Sequence, residues 1–384
     1  MKYLVIEDDV EKLAAIREAI RSEDSFPSIE TADNLVDARR LLLTKAYDLV
    51  VFDVYLPPRP GSKEEQDISE DLLIDFAKSK NYHSVSIAIT RYADDSLSRS
   101  RLFNDNGVTL VVYSEDNQWK RSLSQQIRKC SEKSRLDFVI FCALTKERLG
   151  YGSTDAKLGV LKNIGGLNCQ EMTIGDFRGM CVKPQHMGLV NMAIAATKAI
   201  ELFKPKIVAM SGICAGVEGE SKLLDIVVGQ VCWEWQTGKF KDGKFRQEPY
   251  QVSVNANFKT AIEQISEQTD FLRRIKSDLF DSELRESGIK IAPISSGSVV
   301  VADGNMMSSI GMQHRKWAAL EMEMYALYEA AKQSVPEPLF FGAKCVVDMG
   351  DSAKGDALHA TACSLSARFV IEVLKLQLPK LVDD

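Results

Sequence analysis

Short apolar runs alternate with helical patterns along the first third of the chain, and this alternation constrains the fold more than any other feature. Five short runs are typical of strands, and each is followed by a stretch with helical periodicity. Strands that alternate with helices predict a doubly wound parallel sheet, in which functional groups gather at the carboxyl ends of the strands. The predicted strands are 2–6, 28–31, 48–52, 84–89 and 109–113, and the predicted helices are 10–22, 35–46, 70–79, 95–105 and 117–129.

A second α/β region follows a short polar segment. A chain of 384 residues is too long for one typical core and suits two or more domains. Residues 131–136 have the polar composition of a linker, which predicts domains at 1–130 and 137–384. In the second region we predict strands at 207–210, 224–231, 289–294 and 339–347, and helices at 191–202, 257–267, 317–332 and 360–374.

Composition excludes several classes of protein. No apolar run reaches the roughly 18 residues that span a bilayer, and the start MKYLVIEDDV lacks the pattern of a signal peptide, so we expect a cytoplasmic protein without a membrane partner. The eight cysteines show no CxxC spacing, and none of the four histidines is paired at i, i+4, which argues against a zinc site. A net charge of −6 without a basic stripe or a helix-turn-helix pattern argues against nucleic-acid binding.

Acidic residues follow two predicted strands that should be neighbours in the first sheet. Glu7, Asp8 and Asp9 follow the first strand, and Asp53 follows the third. Carboxylates brought so close together repel one another unless a cation lies among them, and Mg²⁺ prefers such oxygen ligands. Asp53 could then accept a phosphoryl group, and the hydroxyl of Thr90, at the end of the fourth strand, could bond it. The alternative is that each acid caps its strand in solvent.

The segments YLVIEDDV, DLVVFDVYLP and SIAIT resemble the response-regulator receiver family over about the first 130 residues. The resemblance implies a flavodoxin-like fold and a histidine kinase as phosphodonor. It also implies that Glu7 and Asp8 form the acid pair, that Asp53 is the phosphoacceptor and that Thr90 is the switch hydroxyl. Together with the backbone carbonyl of Tyr55, the residues Glu7, Asp8 and Asp53 would hold Mg²⁺.

One position departs from the receiver pattern. The family carries a lysine at the end of the fifth strand, whereas Ser114 stands about there in this chain, with Lys120 nearby in a predicted helix. The loss of that ammonium removes a charge-assisted contact to the phosphoryl group. A pseudo-receiver that only docks a partner is therefore an alternative.

Three acids in distinctive settings point to chemistry in the second region. Glu147 follows an apolar strand, Glu323 lies in the apolar segment LEMEMYAL, and Asp348 ends the strand AKCVVD. Cleavage of an N-glycosidic bond needs an acid to protonate the leaving base, a carboxylate to activate water and a group to hold the ribose. Three carboxylates can fill these roles. Taken singly, Glu147 could be a solvated loop acid and Asp348 a turn cap.

The segments FCALTKE, MGLVNMAIA, MSGICAGV, SGSVVV, EMEMYAL and VVDMGDSAKGD resemble the purine nucleoside phosphorylase/5′-methylthioadenosine nucleosidase superfamily over residues 137–380. The resemblance implies an α/β domain with a mixed sheet. It implies that Glu147 orients water, that Asp348 protonates N7 of the purine, and that the remaining predicted residues bind substrate. These are Glu323 and Met322 at the ribose, Ser211 and Gly212 in the glycine-containing turn, and Val300 beside the base.

Two features leave the substrate and the nucleophile open. Cys214 and Ala215 stand where the superfamily usually has smaller residues, and SGSVVV lacks an aromatic residue to stack on the base. Glu147 would repel a phosphate nucleophile and so favours hydrolysis, whereas Arg148 beside it keeps phosphorolysis open.

A receiver joined to a nucleosidase resembles the effector of Detocs-type phage defence, in which a phosphorylase-like domain cleaves ATP. The resemblance implies regulated cleavage of a purine nucleotide by a homo-oligomer. No P-loop is present, and the candidate phosphate contacts are Lys146, Arg148, Lys183, Lys344 and Lys354. The alternatives are an unregulated purine nucleosidase or phosphorylase of salvage, and a non-catalytic, nucleotide-binding response regulator.

Overall fold

The chain forms two compact units, Met1–Arg135 (unit 1) and Leu136–Asp384 (unit 2). The computed structural model describes residues 1–24, 27–62, 64–82, 84–92, 100–351 and 355–381, without the side chains of residues 131–134 and 244. None of the helices in these ranges is both long and apolar enough to cross a membrane. The candidate residue Lys354 and much of the predicted helix 95–105 lie outside the described residues, although residues 100–105 are helical.

Unit 1 has the doubly wound parallel sheet that the sequence predicts. Its strands lie in the order β2-β1-β3-β6-β7 and all pair in parallel. The order reverses between β1 and β3, so a crevice opens at the carboxyl ends of these two strands. The described strands are β1 (Lys2–Ile6), β2 (Ser28–Ala32), β3 (Leu49–Phe52), β4 (Tyr55–Leu56), β5 (Gln66–Asp67), β6 (Val85–Thr90) and β7 (Thr109–Val112), of which β4 and β5 form a separate ribbon.

The helices of unit 1 cover both faces of this sheet and enclose two apolar clusters. They are α1 (Val10–Glu23), α2 (Leu35–Thr44), α3 (Ser69–Lys78) and α4 (Gln118–Ser134). Helix α4 continues through most of the segment that we predicted as the linker 131–136, and the division between the units falls after Arg135.

Unit 2 is built on a ten-stranded mixed sheet, as the sequence predicts for its class of α/β domain. The buried strand β12 lies at its centre and pairs in parallel with β8 and β19. The strands are β8 (Phe138–Phe141), β9 (Lys157–Ile164), β10 (Leu167–Ile174), β11 (Phe177–Lys183), β12 (Ile207–Gly216), β13 (Ile226–Glu234), β14 (Gly238–Lys241), β15 (Lys244–Gln247), β16 (Gln251–Ser253), β17 (Ile289–Ser296), β18 (Ala319–Glu321) and β19 (Leu339–Asp348). Strands β14 and β15 form a hairpin apart from this sheet.

Helices pack on the sheet of unit 2 and close one large apolar core. They are α5 (Thr145–Leu149), α6 (Leu189–Phe203), α7 (Ala256–Ser266), α8 (Thr269–Ile275), α9 (Gly304–Gly311), α10 (Met324–Lys332) and α11 (His359–Gln377), with 3₁₀ helices at Gly150–Ser153, Ser282–Arg285 and Leu378–Leu381.

The helix predicted at 317–332 is wrong over its first half, which contains the strand β18. The side chain of Glu321 accepts hydrogen bonds from the backbone N–H groups of Glu323 (2.9 Å) and Met324 (2.8 Å). These bonds satisfy donors that have no partner within a helix, so α10 begins only after Glu323.

Candidate active site

Unit 2 has a cavity of about 200 Å³ at the edge of the sheet where β8, β12 and β19 end. Because these three strands are parallel, their carboxyl ends meet at this edge. The lining comprises Ala143, Leu144, Lys146, Glu147, Met187, Ile213, Cys214, Ala215, Val299, Val300, Val301, Leu320, Glu321, Met322, Glu323, Val347, Asp348 and His359. The three acids predicted from the sequence are therefore brought together in one place.

Glu147 lies in the short helix α5, directly after β8, and its carboxylate is buried. Its Oε2 accepts a hydrogen bond from the backbone N–H of Leu144 (2.9 Å), and its Oε1 accepts one from the N–H of Ile213 (3.0 Å). Hydrogen bonds from backbone donors stabilise the charged form of a carboxylate and fix its orientation. Glu147 is thus fixed in orientation at the cavity wall.

Gly212 makes this position of Glu147 possible. Its φ of +149° is one that L side chains rarely adopt, and a Cβ at this residue would lie 2.2 Å from Oε1 of Glu147. No carbon can approach an oxygen so closely without displacing it. The absence of a side chain at residue 212 is therefore a requirement of the site.

Lys344 lies beneath the cavity, fully buried in β19, and is surrounded by carboxylates. Its Nζ is 3.4 Å from Oε2 of Glu323, 3.5 Å from Oε2 of Glu321 and 4.0 Å from Oε1 of Glu147. Burial alone would lower the pKa of this ammonium, but the carboxylates, Glu147 foremost, raise it above its ordinary value. One buried ammonium therefore lies within 4.0 Å of three carboxyl groups.

The carboxyl of Glu323, which lines the cavity, has a raised pKa. Burial, together with the negative charges of Glu321 and Glu147, raises the pKa of its carboxyl to about 7 against the lowering effect of Lys344. Its Oε1 accepts a hydrogen bond from the backbone N–H of Gly188 (3.0 Å). A carboxyl in this state can accept or donate a hydrogen bond to a substrate hydroxyl near neutral pH.

Asp348 is buried at the last position of β19, across the cavity lining from these groups. Its Oδ1 accepts a hydrogen bond from the backbone N–H of Gly350 (2.9 Å), which fixes the carboxyl at the start of the following loop. An acid so placed can reach a heterocycle bound in the cavity.

A family model described as "Phosphorylase superfamily" matches residues 140–375. The chain belongs to the phosphorylase superfamily. It is 25% identical to the uncharacterised protein y4jS of Sinorhizobium fredii over 97% of this chain and 98% of that protein. It is also 25% identical to a protein of Escherichia coli named ATP nucleosidase Cap17, over 52% of this chain, and the match spans 42% of Cap17.

Solved structures similar to this superfamily domain share its fold. A 5′-methylthioadenosine/S-adenosylhomocysteine nucleosidase of Neisseria meningitidis matches with a TM-score of 0.50 and 21% identity, over 63% of this chain and 100% of that one. The corresponding nucleosidase of Helicobacter pylori matches with a TM-score of 0.52 and 14% identity, over 63% of this chain and 99% of that one. Both likenesses confirm the predicted α/β class of unit 2.

Ser211 and Gly212, which the resemblance predicts to contact substrate, form hydrogen bonds within this superfamily domain. Ser211 is buried beneath the cavity, where its Oγ accepts a hydrogen bond from the Tyr151 hydroxyl (2.7 Å). The backbone N–H of Gly212 donates to the hydroxyl of Ser366 (2.8 Å). Residues 213–215 of the same strand line the cavity, whereas Ser211 and Gly212 are not among its lining residues.

Of the other predicted residues, Met322 and Val300 line the cavity, and the candidate phosphate contacts separate into two groups. Lys146 lines it and contacts Nδ1 of His359, a lining residue that sequence analysis missed. Outside the cavity lining, Arg148 donates to the side chain of Asn168, and Lys183 donates to a backbone carbonyl. Lys344 is neither a surface charge nor a phosphate contact, because three glutamates surround it.

Glu321 and the pairing of Lys344 are the main features of the site that sequence analysis missed. Lys344 lies within β19, the strand that ends at Asp348. A lysine inside an otherwise apolar strand, four residues before a predicted catalytic acid, was the available signal. Glu321 gave a weaker one, because the segment around it was predicted to be a helix.

Unit 1 has its own acid cluster at the carboxyl ends of β1 and β3, as predicted. Glu7 and Asp53 are both buried, and Lys12 from helix α1 lies between them. The Lys12 Nζ is 2.7 Å from Oε2 of Glu7 and 2.5 Å from Oδ2 of Asp53. The other oxygen of Asp53 accepts a hydrogen bond from the backbone N–H of Val54 (2.6 Å).

The remaining receiver positions lie around this cluster. Thr90 ends β6 and is buried, and its Oγ1 accepts a hydrogen bond from the N–H of Tyr92 (3.2 Å). The ring of Tyr55 packs edge-on against that of Tyr92. Ser114 donates to the carboxylate of Asp116 at 2.5 Å, and Lys120 lies over the ring of Trp119.

The Mg²⁺ set predicted for unit 1 does not fit a metal ion in this conformation. Among the described residues, no group of three or more His, Cys, Asp and Glu side chains is arranged to hold a metal. The ammonium of Lys12 lies between Glu7 and Asp53 and pairs with both carboxylates.

Proposed function

We propose that unit 2 is a hydrolytic N-glycosidase that releases the base from a purine nucleotide, with ATP as the preferred substrate. The observation that carries the proposal is the meeting of Asp348, Glu147 and Glu323 in one cavity. N-glycosyl hydrolysis is the reaction class that the superfamily and the neighbouring nucleosidase folds support.

Each carboxyl group has a role in this reaction. Asp348 donates a proton to the leaving base as the bond between C1′ and the base nitrogen breaks and the base takes the electron pair. Glu147 accepts a proton from water as the water oxygen bonds to C1′. Glu323 and Met322 contact the ribose, and the negative charge of the site stabilises the developing sugar cation.

Water rather than phosphate is the nucleophile that this site favours. Glu147, Glu321 and Glu323 surround a single ammonium, that of Lys344, and repel a phosphate ion at the same position. Arg148, which could have attracted phosphate, is turned to Asn168.

ATP is proposed from two considerations. The relative Cap17 bears the name ATP nucleosidase. In addition, Lys146 and His359 are basic side chains in the cavity lining and can bind the phosphates of a nucleotide, with Asp356 3.9 Å from Lys146 as an opposing charge.

A test of this assignment compares ATP with adenosine. In Lys146→Ala we expect kcat/KM for ATP to fall at least about tenfold, because a hydrogen bond to a charged group is lost, with adenosine cleavage unchanged. Lys162→Ala, which removes an exposed lysine paired with Glu171, is the matched control. An equal loss with both substrates would contradict a phosphate contact at Lys146.

Unit 1 is proposed to regulate this activity by phosphorylation of Asp53 from a histidine kinase, with Thr90 as the switch hydroxyl. The receiver-like segments, the five-stranded parallel sheet and the position of Asp53 at the crevice support this. A switched ATP nucleosidase would deplete nucleotides during phage infection, and we propose this antiphage effector role, in the cytoplasm, for the protein.

We also propose a homo-oligomer. Met187 lines the cavity and is 45% exposed, and the next turns of α6 expose Val190 (70%) and Ile194 (57%). Val299 and Val300 add exposed apolar surface at the cavity lining. Contiguous apolar surface of this kind is typical of an interface, and a second copy would cover the open side of the cavity.

The deciding experiment is chromatographic detection of free adenine from ATP, AMP and adenosine, with and without a phosphodonor and Mg²⁺. We expect adenine from ATP, its loss in Asp348→Asn and its retention in Asp351→Asn, a change in the same loop. Release that rises with phosphorylation of Asp53 supports the switched effector. Adenine from adenosine alone would support the salvage alternative, and no base from any purine would support the non-catalytic one.

A further inference from the structure

The positively charged group within the acid cluster of unit 1 is the ammonium of Lys12, which helix α1 supplies. Lys12 belongs to helix α1, whereas the receiver pattern places a lysine at the end of the fifth strand, where this chain has Ser114. The Lys12 side chain has no exposed surface. A buried ammonium is costly unless it is paired, and here Glu7 and Asp53 pair with it at 2.7 and 2.5 Å.

The start of helix α1 directs Lys12 to this place. Asp9 caps the helix by accepting a hydrogen bond from the backbone N–H of Lys12 (2.8 Å), which fixes the first turn above the carboxyl end of β1. The ring of Tyr113 lies 5.9 Å from the Lys12 Nζ and forms one wall of the site. The ammonium is therefore positioned by the helix cap and by an aromatic ring as well as by its two acids.

We propose that Lys12 is the resident cation of this cluster. It supplies the ammonium that Ser114 cannot, and it competes with a divalent cation for the oxygens of Glu7 and Asp53. The inference rests on the receiver role proposed for unit 1, but it is independent of the activity of unit 2. A divalent cation would have to displace the ammonium to reach both acids.

The charge of Lys12 predicts a measurable effect on the affinity of the cluster for a divalent cation. Without Lys12, the carboxylates of Glu7, Asp8 and Asp53 have no internal ammonium among them, and a divalent cation gains the full attraction of the cluster. We expect Lys12→Met to bind Mn²⁺ at least about tenfold more tightly than the wild type, because removing a like charge a few ångströms from the metal favours binding. Lys12→Arg should keep the weak binding of the wild type.

The test is a Mn²⁺ titration of the full chain by electron paramagnetic resonance, in which the site is defined as the component that Asp53→Asn removes. Lys45→Met, which removes an exposed lysine paired with Glu30, controls for overall charge. Folded Lys12→Met with wild-type or weaker Mn²⁺ affinity overturns the proposal, as does a tightening of the same size in Lys45→Met.

A second measurement uses only the wild type, so it does not depend on whether the Lys12→Met variant folds. After brief exposure to an amine-reactive reagent, mass spectrometry should find Lys12 unmodified and Lys45 modified. Saturating Mn²⁺ should then expose Lys12 to modification. Modification of Lys12 as fast as that of Lys45 without metal would place the ammonium outside the cluster and overturn the proposal.

Discussion

At the residue scale, the cavity of unit 2 depends on side chains that sequence patterns predict unequally. Asp348, Glu147 and Glu323 each follow or interrupt an apolar run, so their chemistry could be proposed from the sequence, and the structure brings them to one cavity. The pairing of Lys344 with three acids could not be predicted from the sequence, because these acids lie on other elements. Pairing between residues distant in sequence depends on tertiary packing, which local sequence patterns do not report.

Gly212 offers the sharpest steric test. In Gly212→Ala the new methyl group would meet Oε1 of Glu147, so the carboxylate must move and leave its hydrogen bond to Ile213. We expect base release to fall at least about tenfold, since one lost charge-assisted hydrogen bond is worth about 1.5–3 kcal/mol.

The matched control is Gly152→Ala, where a Cβ has open space within 4 Å. Steady-state rates of adenine release, with circular dichroism to check folding, compare the two variants. Equal rates in Gly212→Ala and the wild type would contradict the positioning role.

The raised pKa of Glu323 predicts a pH dependence of stability. A carboxyl with a pKa of about 7 in the folded state and about 4.5 in the unfolded state binds more protons when folded. Its contribution to stability is therefore fully present below pH 4.5 and is lost as the pH rises through 7.

Urea unfolding between pH 4.5 and 8 measures this effect. We expect the free energy of unfolding of the wild type to fall with rising pH relative to that of Glu323→Gln, which cannot ionise. Parallel curves for the two proteins would show that Glu323 has an ordinary pKa.

At the element scale, the strands and most helices follow from periodicity, and the failures have local causes. The segment 317–332 has apolar residues that suit a helix, but the Glu321 side chain bonds the first backbone donors and separates β18 from α10. The polar composition of 131–136 suited a linker, yet residues as far as Ser134 continue α4, because a polar sequence is compatible with a helix as well as with a linker.

Glu321 therefore determines where α10 begins, and it also pairs with the ammonium of Lys344. In Glu321→Ala the backbone donors of Glu323 and Met324 lose their partner, and the hydroxyl of Ser296 loses an acceptor. We expect a loss of about 2–4 kcal/mol in the stability of unit 2, as for other buried hydrogen-bonded groups left without partners. Glu337→Ala, which removes an exposed carboxylate paired with Lys332, should cost under about 1 kcal/mol. Similar losses in chemical denaturation of both variants would contradict this.

At the scale of the whole molecule, the exposed apolar face of α6 predicts association. We expect Val190→Asp to lower the molecular mass measured by light scattering from that of an oligomer to that of a monomer, because a buried aspartate at an interface is costly. Val36→Asp, at an exposed apolar position of α2 in unit 1, should leave the mass unchanged. A wild type that is monomeric at micromolar concentration would contradict the proposed interface.

The distribution of charge in the cavity of unit 2 also determines which end of a charged substrate would enter first. The acids Glu147, Glu323 and Asp348 are almost entirely shielded from solvent, whereas the Lys146 side chain is 43% exposed. A polyanionic chain is repelled by the first group and attracted by the second. If the proposed function holds, we therefore expect a nucleotide to enter with its heterocycle first and its phosphates last, which would align the glycosidic bond before the reaction begins.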